Sequence, residues 1–212
     1  MKLSAKSGHG PEQVYAYPML GNCYLNITNH CNLRCHFCPR IKGEWEVQGY
    51  NLRLEREPEA DELVAAVTEA GSPASFQEVV FCGLGEPTLR LDVLLAAGRE
   101  LRRRGFRVRL NTNGLANQAH GYDVTPQLAE AVDAVSISLN AQDETVYERH
   151  CRPLEPGAYP ALLDFIQRAR ERIADVTVTA IDGLPDVDIP ACARIAAELG
   201  VRFRARVLNE VG

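Results

Sequence analysis

The sequence predicts an α/β fold with a parallel sheet, and three observations support that. Short apolar runs that stop at glycine- or asparagine-rich turns alternate along the chain with segments of helical period, the pattern of right-handed strand-helix-strand units. Six units of roughly 30 residues nearly exhaust the chain, whereas a closed eight-unit barrel typically needs about 250. The unusual residues also gather where the strands stop. The choice lies between an open doubly wound sheet and a partial barrel of six units, and both place a site at the C-terminal strand ends.

Taken in order, "VYAYP", "LGN" and "CYLNIT" read as two short strands around a Gly-Asn turn. An irregular stretch over 40–56 follows, carrying the only tryptophan, Trp45. Pro58 opens a helix over about 58–70, where Leu63, Val67 and Ala70 share a face. "EVVFC" is a compact strand ended by "GLGEP". A helix over 91–104 buries Leu94, Leu95 and Leu101, stops at Gly105, and leads into the strand "FRVRL" and the turn "NTNG". A short helix near 125–132 precedes the strand "AVSISLN". Residues 158–174 place Leu162, Ile166, Ala169 and Ile173 at helical spacing before "VTVTAI", and a helix near 188–199 ends at Gly200 before "VRFRARVL". The expected organisation is an N-terminal extension and hairpin strand over 1–22, then one core domain over 23–212.

The net charge of −5 gives no basic character, so generic binding to nucleic acid or anionic membrane is not expected. "MKLSAKSGHGPEQ" lacks the apolar run of a signal peptide, and no stretch approaches about 18 apolar residues, so a cytoplasmic protein is expected. Seven cysteines, an odd number, argue for reduced thiols rather than a disulfide framework.

Three of them, Cys31, Cys35 and Cys38, fall in "NITNHCNLRCHFCPR". A structural zinc site wants four ligands on two hooks, and the remaining cysteines form no second hook. His30 and His36 sit beside ligands and would have to fold back sharply to complete one. Three thiolates on one loop suit an iron-sulfur cluster with one iron left for an exogenous ligand. Other polar residues gather at later strand ends: Gly83, Gly85 and Glu86, then Asn111 and Asn113, then Ser136, Ser138 and Asn140. Cys23 and Cys192 read as small buried hydrophobes. Cys82, before the glycine motif, and Cys151, in what reads as a polar "RHCRP" loop, are candidates for a hydrogen donor or substrate anchor. His120, Arg149 and Arg152 are candidates for gripping an anionic substrate group, and Trp45 and Tyr50 for lid or substrate contacts.

The spacing C-x3-C-x2-C, with Phe37 before the third cysteine, resembles the cluster motif of the radical S-adenosylmethionine (SAM) superfamily. "GLGEP" is similar to that family's glycine-glutamate-proline motif, and "NTNG" and "SISLN" resemble its cofactor-facing strand ends. "YLNITN", "GYNLRLEREP", "VFCGLGEPTLRLDVL", "RLNTNG", "SISLNA" and "CRP" resemble more closely the small subfamily named for its association with TatD-type metal-dependent hydrolases, over about residues 15–206.

The resemblance implies a partial (β/α)6 TIM-type barrel. It implies a [4Fe-4S] cluster on Cys31, Cys35 and Cys38, with SAM chelated at the fourth iron and reductively cleaved to methionine and a 5'-deoxyadenosyl radical that abstracts hydrogen from substrate. Phe37 is then expected near the adenine, and Gly83, Gly85 and Glu86 at the methionine end. Ser138 and Asn140 are expected at the ribose or carboxylate, with Asn111 and Asn113 nearby. A low-potential donor such as flavodoxin or ferredoxin is implied, and a TatD-type hydrolase is an expected associate. The resemblance supplies no substrate, and two other readings stay open beside it: an activating enzyme that installs a radical on a partner protein, and a non-catalytic zinc or iron-sulfur protein.

Overall fold

A computed structural model describes residues 13–208; the expected N-terminal extension, as far as residue 12, lies outside the described residues. The chain opens with the hairpin β1 (Ala16–Met19) and β2 (Asn22–Leu25), turned at Leu20 and Gly21, both at positive φ. A 3-10 turn at Pro39–Lys42 and a second, small hairpin, β3 (Glu46–Val47) and β4 (Tyr50–Asn51), follow. Then come α1 (Ala60–Ala70), β5 (Val79–Phe81), α2 (Leu91–Arg103) and β6 (Val108–Thr112). They are followed by α3 (Ala116–His120), α4 (Thr125–Ala131), β7 (Ala134–Ser138), α5 (Glu144–Cys151) and α6 (Ala158–Arg172). The described chain finishes with β8 (Asp175–Asp182), α7 (Ile189–Glu198) and β9 (Arg202–Val207).

One sheet runs β1-β2-β5-β6-β7-β8-β9. Only β1 is antiparallel to its neighbour; β2, β5, β6, β7, β8 and β9 pair in parallel, in sequence order. These are the six expected units, and the open doubly wound alternative fails because the strand order never reverses. Among the described residues β1 and β9 have no further strand partner, so a lateral seam separates the two ends of the sheet.

The strand alternation explains the two faces. Leu25, Phe81, Leu110, Ile137 and Val178 point outward and are fully buried against the helices, with Leu63, Leu94, Leu101 and Leu162 opposite them. Each contributes about 1.5–3 kcal/mol of burial. The intervening positions turn inward and are largely polar: Asn111 stands beside Ser136, Ser136 beside Thr177, and Ser138 beside Thr179, which neighbours Arg204. A helix-covered sheet usually fills its inner face with apolar layers. A polar inner face is what a ligand needs.

Three short elements were not expected. The β3-β4 hairpin turns on Gln48 and Gly49, both at positive φ, as a two-residue hairpin turn requires. Helix α3 fills the link after "NTNG". Helix α5 corrects the reading of "RHCRP" as a loop: Asp143 caps its start by accepting from the Val146 N–H, and Cys151 lies in its last turn, wholly buried. Val146, Tyr147, His150 and Cys151 form its buried face, a helical spacing hidden by the charged residues between them. Among the described residues no helix is long and apolar enough to cross a membrane.

Candidate cofactor site

The loop after β2 carries Cys31, Cys35 and Cys38, all half-buried and unpaired. Two partners fix its path. The first is the loop after β5. Glu86 donates its backbone N–H to the His30 carbonyl at 2.7 Å. A Cβ on Gly85 would lie 2.2 Å from the Thr28 carbonyl oxygen, and one on Gly83 would lie 2.4 Å from Asn26 Oδ1. At Gly85 glycine is required because the loop packs onto the backbone leading to the cysteines, whereas at Gly83 the obstacle is the buried Asn26 side chain.

The second partner is the end of α5. The Arg34 N–H donates to the carbonyls of Cys151 and Arg152, the His36 N–H donates to that of His150, and Leu33 bridges Pro153. The two imidazoles also meet: His36 Nε2 lies 2.6 Å from His150 Nδ1, and His150 Nε2 lies 2.7 Å from the Pro185 carbonyl after β8. Since a carbonyl only accepts, His150 carries its proton on Nε2. With that proton on Nε2, the Nδ1 of His150 is placed to accept from the Nε2–H of His36.

Glu86 is buried, and its carboxylate is fully engaged. Thr88 donates its N–H and hydroxyl, Thr112 its hydroxyl and Asn113 its N–H, at 2.7–3.1 Å. Burial pushes this carboxyl up, and those donors oppose the shift. The carboxylate thus anchors the "NTNG" turn, and the surface it leaves to a ligand is the backbone of the glycine loop. Asn113 Nδ2 donates to Asn32 Oδ1 at 2.6 Å and reaches to 4.0 Å from Cys31 Sγ.

Around the cysteines the pieces converge. Burial pushes the Cys31 thiol up to about 12. The thiol of Cys151, set against that of Cys35, raises the latter, and burial adds to it. Asn140 lies just past β7 in left-handed backbone at φ +60, which asparagine tolerates; its Nδ2 donates to Cys151 Sγ at 3.7 Å. Among the described residues the buried Asn140 Oδ1 and Tyr147 hydroxyl have no hydrogen-bond partner. Burial and the thiols of Cys151, Cys35 and Cys31 push the Tyr147 phenol up. Three unpaired thiols and two orphaned polar atoms fit a cluster with its own exogenous ligand. Among the described residues no three His, Cys, Asp or Glu side chains gather around a single ion.

The other candidates divide between the lumen and elsewhere. Phe37 packs partly buried, edge-on to His36. Ser138, half-exposed, ends β7 on the inner face. Asn111 accepts from Arg109 at 2.7 Å and lines the lumen cavity with Cys82 and Gly83. Cys23 and Cys192 lie in the apolar core. His120 bonds the Thr88 carbonyl at 2.8 Å, and Arg149 pairs with Asp186 away from the cavity. Tyr50 packs its small hairpin against Tyr17, the rings tilted with centroids 5.2 Å apart. The sequence reading missed Tyr147, His150, Thr112 and the inner arginines of β9. The i, i+3, i+4 pattern of Tyr147, His150 and Cys151 was the available signal for the first two.

A six-unit barrel with three free thiols at its mouth and a polar lumen beneath them defines a protein that carries an iron-sulfur cluster together with an organic cofactor. The description of the radical SAM superfamily matches residues 25–197, and the chain belongs to that superfamily, whose cofactors are a [4Fe-4S] cluster and SAM. Over 182 residues it is 29% identical to a probable GTP 3',8-cyclase of Thermococcus kodakarensis, covering 84% of this chain and 54% of that protein. Over 121 residues it is 33% identical to a tungsten-containing aldehyde ferredoxin oxidoreductase cofactor-modifying protein of Pyrococcus furiosus, covering 55% of this chain and 30% of that one. The chain thus spans about half or less of these relatives' lengths. The fold is similar to that of Streptococcus suis SuiB, solved with the precursor peptide SuiA, at a TM-score of 0.66 and 16% identity, over 88% of this chain and 39% of that one.

Proposed function

We propose that this chain is a radical-generating enzyme that binds SAM above the lumen and removes a hydrogen atom from a substrate held below it. The observation that supports this best is the docking of the cysteine loop onto the glycine loop at Gly85, which leaves Cys31 beside the Glu86-anchored Asn113. When bound, the cluster and SAM supply a one-electron cleavage of the sulfonium and a 5'-deoxyadenosyl radical. The chain's own part is placement and shielding. Cys31, Cys35 and Cys38 hold the cluster once their thiols lose their protons. The α5 end and the His36–His150 pair stiffen the loop that carries them.

The backbone around Gly83 and Gly85 receives the ammonium end of SAM, because the Glu86 carboxylate is already engaged. Asn113, Asn111, Ser138 and Asn140 offer amides and a hydroxyl to the carboxylate and ribose, and Phe37 offers a face to the adenine. Of the two spare cysteines proposed as hydrogen donor or anchor, Cys82 lines the cavity, whereas Cys151 is buried against Cys35. Radical SAM enzymes need a reductant, and we assign that role to a flavodoxin or ferredoxin in the reducing cytoplasm. The subfamily resemblance adds a TatD-type hydrolase partner, which co-elution of the two purified proteins tests.

Anaerobic reconstitution with iron and sulfide, then dithionite and SAM, should yield 5'-deoxyadenosine, and Cys31→Ala should abolish it. A colourless protein with one tightly held zinc and no deoxyadenosine would sink the proposal.

A further inference from the structure

The lumen holds a cavity of about 470 Å³ that reaches from the cofactor loop to the lateral seam, touching Gly83 and Cys82 at one end, β1 at the other, and Arg109, Arg204 and Arg206 of the inner face. That volume suits a small molecule. Of its three guanidiniums, Arg109 is neutralised: it pairs with Glu78 at 2.6 Å and donates to Asn111 at 2.7 Å. Among the described residues neither Arg204 nor Arg206 makes an ion pair, and the buried Nε of Arg206 has no hydrogen-bond partner at all. Arg204 is exposed, whereas Arg206 is half-buried with its Nε out of water; a guanidinium partly withdrawn from water without a counter-charge is costly, and its planar fork is shaped for an oxyanion. Burial pulls the Arg206 group down, Cys82 opposes that, and the neighbouring Arg204 adds to the lowering. Arg206 lines the same cavity as Cys82, Gly83 and Pro39, the residue that follows Cys38, so an anion there stands next to the cofactor loop.

We infer that Arg206, seconded by Arg204, is the oxyanion receptor of the substrate site, and that the substrate is a small molecule bearing a carboxylate or phosphate inserted at the seam between β1 and β9. The two arginines alternate on one strand, about 7 Å apart, so both engage an extended or divalent anion. The identification of this ligand as substrate rests on the radical SAM reading; the binding of the anion does not.

Calorimetric titration of the anaerobically reconstituted protein, with SAM present, uses inorganic pyrophosphate and succinate as probes. One of them should bind saturably, and which binds tighter tells phosphate from carboxylate. Arg206→Gln should weaken that binding at least about tenfold and Arg204→Gln by a smaller factor. Arg206→Lys should recover part of it, and Arg194→Gln, on the exposed side of α7, should match wild type. Absence of saturable binding of either probe, or unchanged binding by folded Arg206→Gln and Arg206→Lys, overturns the inference. So does competition between probe and SAM, which would make Arg206 a ligand of the SAM carboxylate. Anion binding without deoxyadenosine formation would count against the radical reading alone.

Discussion

At the scale of residues, the site depends on a few atoms that have no room to change. A methyl group at Gly85 would sit 2.2 Å from a backbone oxygen, which cannot rotate away as a side chain would. Gly85→Ala should therefore lift the cysteine loop and lower the iron and sulfide retained after reconstitution by about half or more, while far-UV circular dichroism stays native. Glu86→Gln tests the anchor. All four of its partners are donors, so the new amide N–H₂ must face one of them, and a chemical melt of the apo protein should show a loss of about 1–3 kcal/mol. The importance of Glu86 was legible from "GLGEP", but its task was not. Which donors surround a carboxylate depends on Thr112 and Asn113 arriving from another strand, and no local pattern encodes that.

At the scale of elements, helix α5 is the clearest gain over the sequence reading. Its end runs alongside the cysteine loop, and His150 ties that loop to the carbonyl after β8. His150→Leu should leave the Pro185 oxygen unpaired at a cost of about 1–3 kcal/mol and speed amide exchange across residues 32–38. Unchanged exchange there would mean the backbone bridge alone holds the loop. The "NTNG" turn offers a second check. Gly114 has φ +79, and a Cβ there would meet Leu162 Cδ1 at 2.4 Å and Ile137 Cγ2 at 2.8 Å, so Gly114→Ala should destabilise the fold by about 2 kcal/mol or more, read from the same melt. The six parallel strands were legible because each is a short apolar or alternating run set off from the helical segments around it. Helix α5 was hidden because Glu144, Glu148, Arg149 and Arg152 flank a four-residue buried face. The β3-β4 strands are two residues each, too short to show any period.

At the scale of the whole molecule, the outer apolar face and the inner polar face do separate jobs. The helices and the sheet's outer face form a continuous core that needs no cofactor. Stripping the cluster from the holoprotein with an iron chelator should leave the far-UV spectrum intact while residues 30–42 become sensitive to protease. A global loss of structure would show that the cluster is part of the fold. Why the sequence reading assigned nothing to Arg204 and Arg206 beyond the strand that carries them also belongs to this scale. On an edge strand, alternating arginines look solvated, and only the curling of the sheet toward its other edge turns that face into a lumen.

The contact at Gly85 and the Glu86 N–H bond to His30 carry one more implication. The segment to which we assign the metal's ligands and the segment to which we assign the organic cofactor touch backbone to backbone, with no flexible side chain between them to absorb a displacement. Occupancy of either is then energetically linked to the other, and linkage is reciprocal. Assembly of the cluster and affinity for SAM should rise and fall together, by the same factor in both directions.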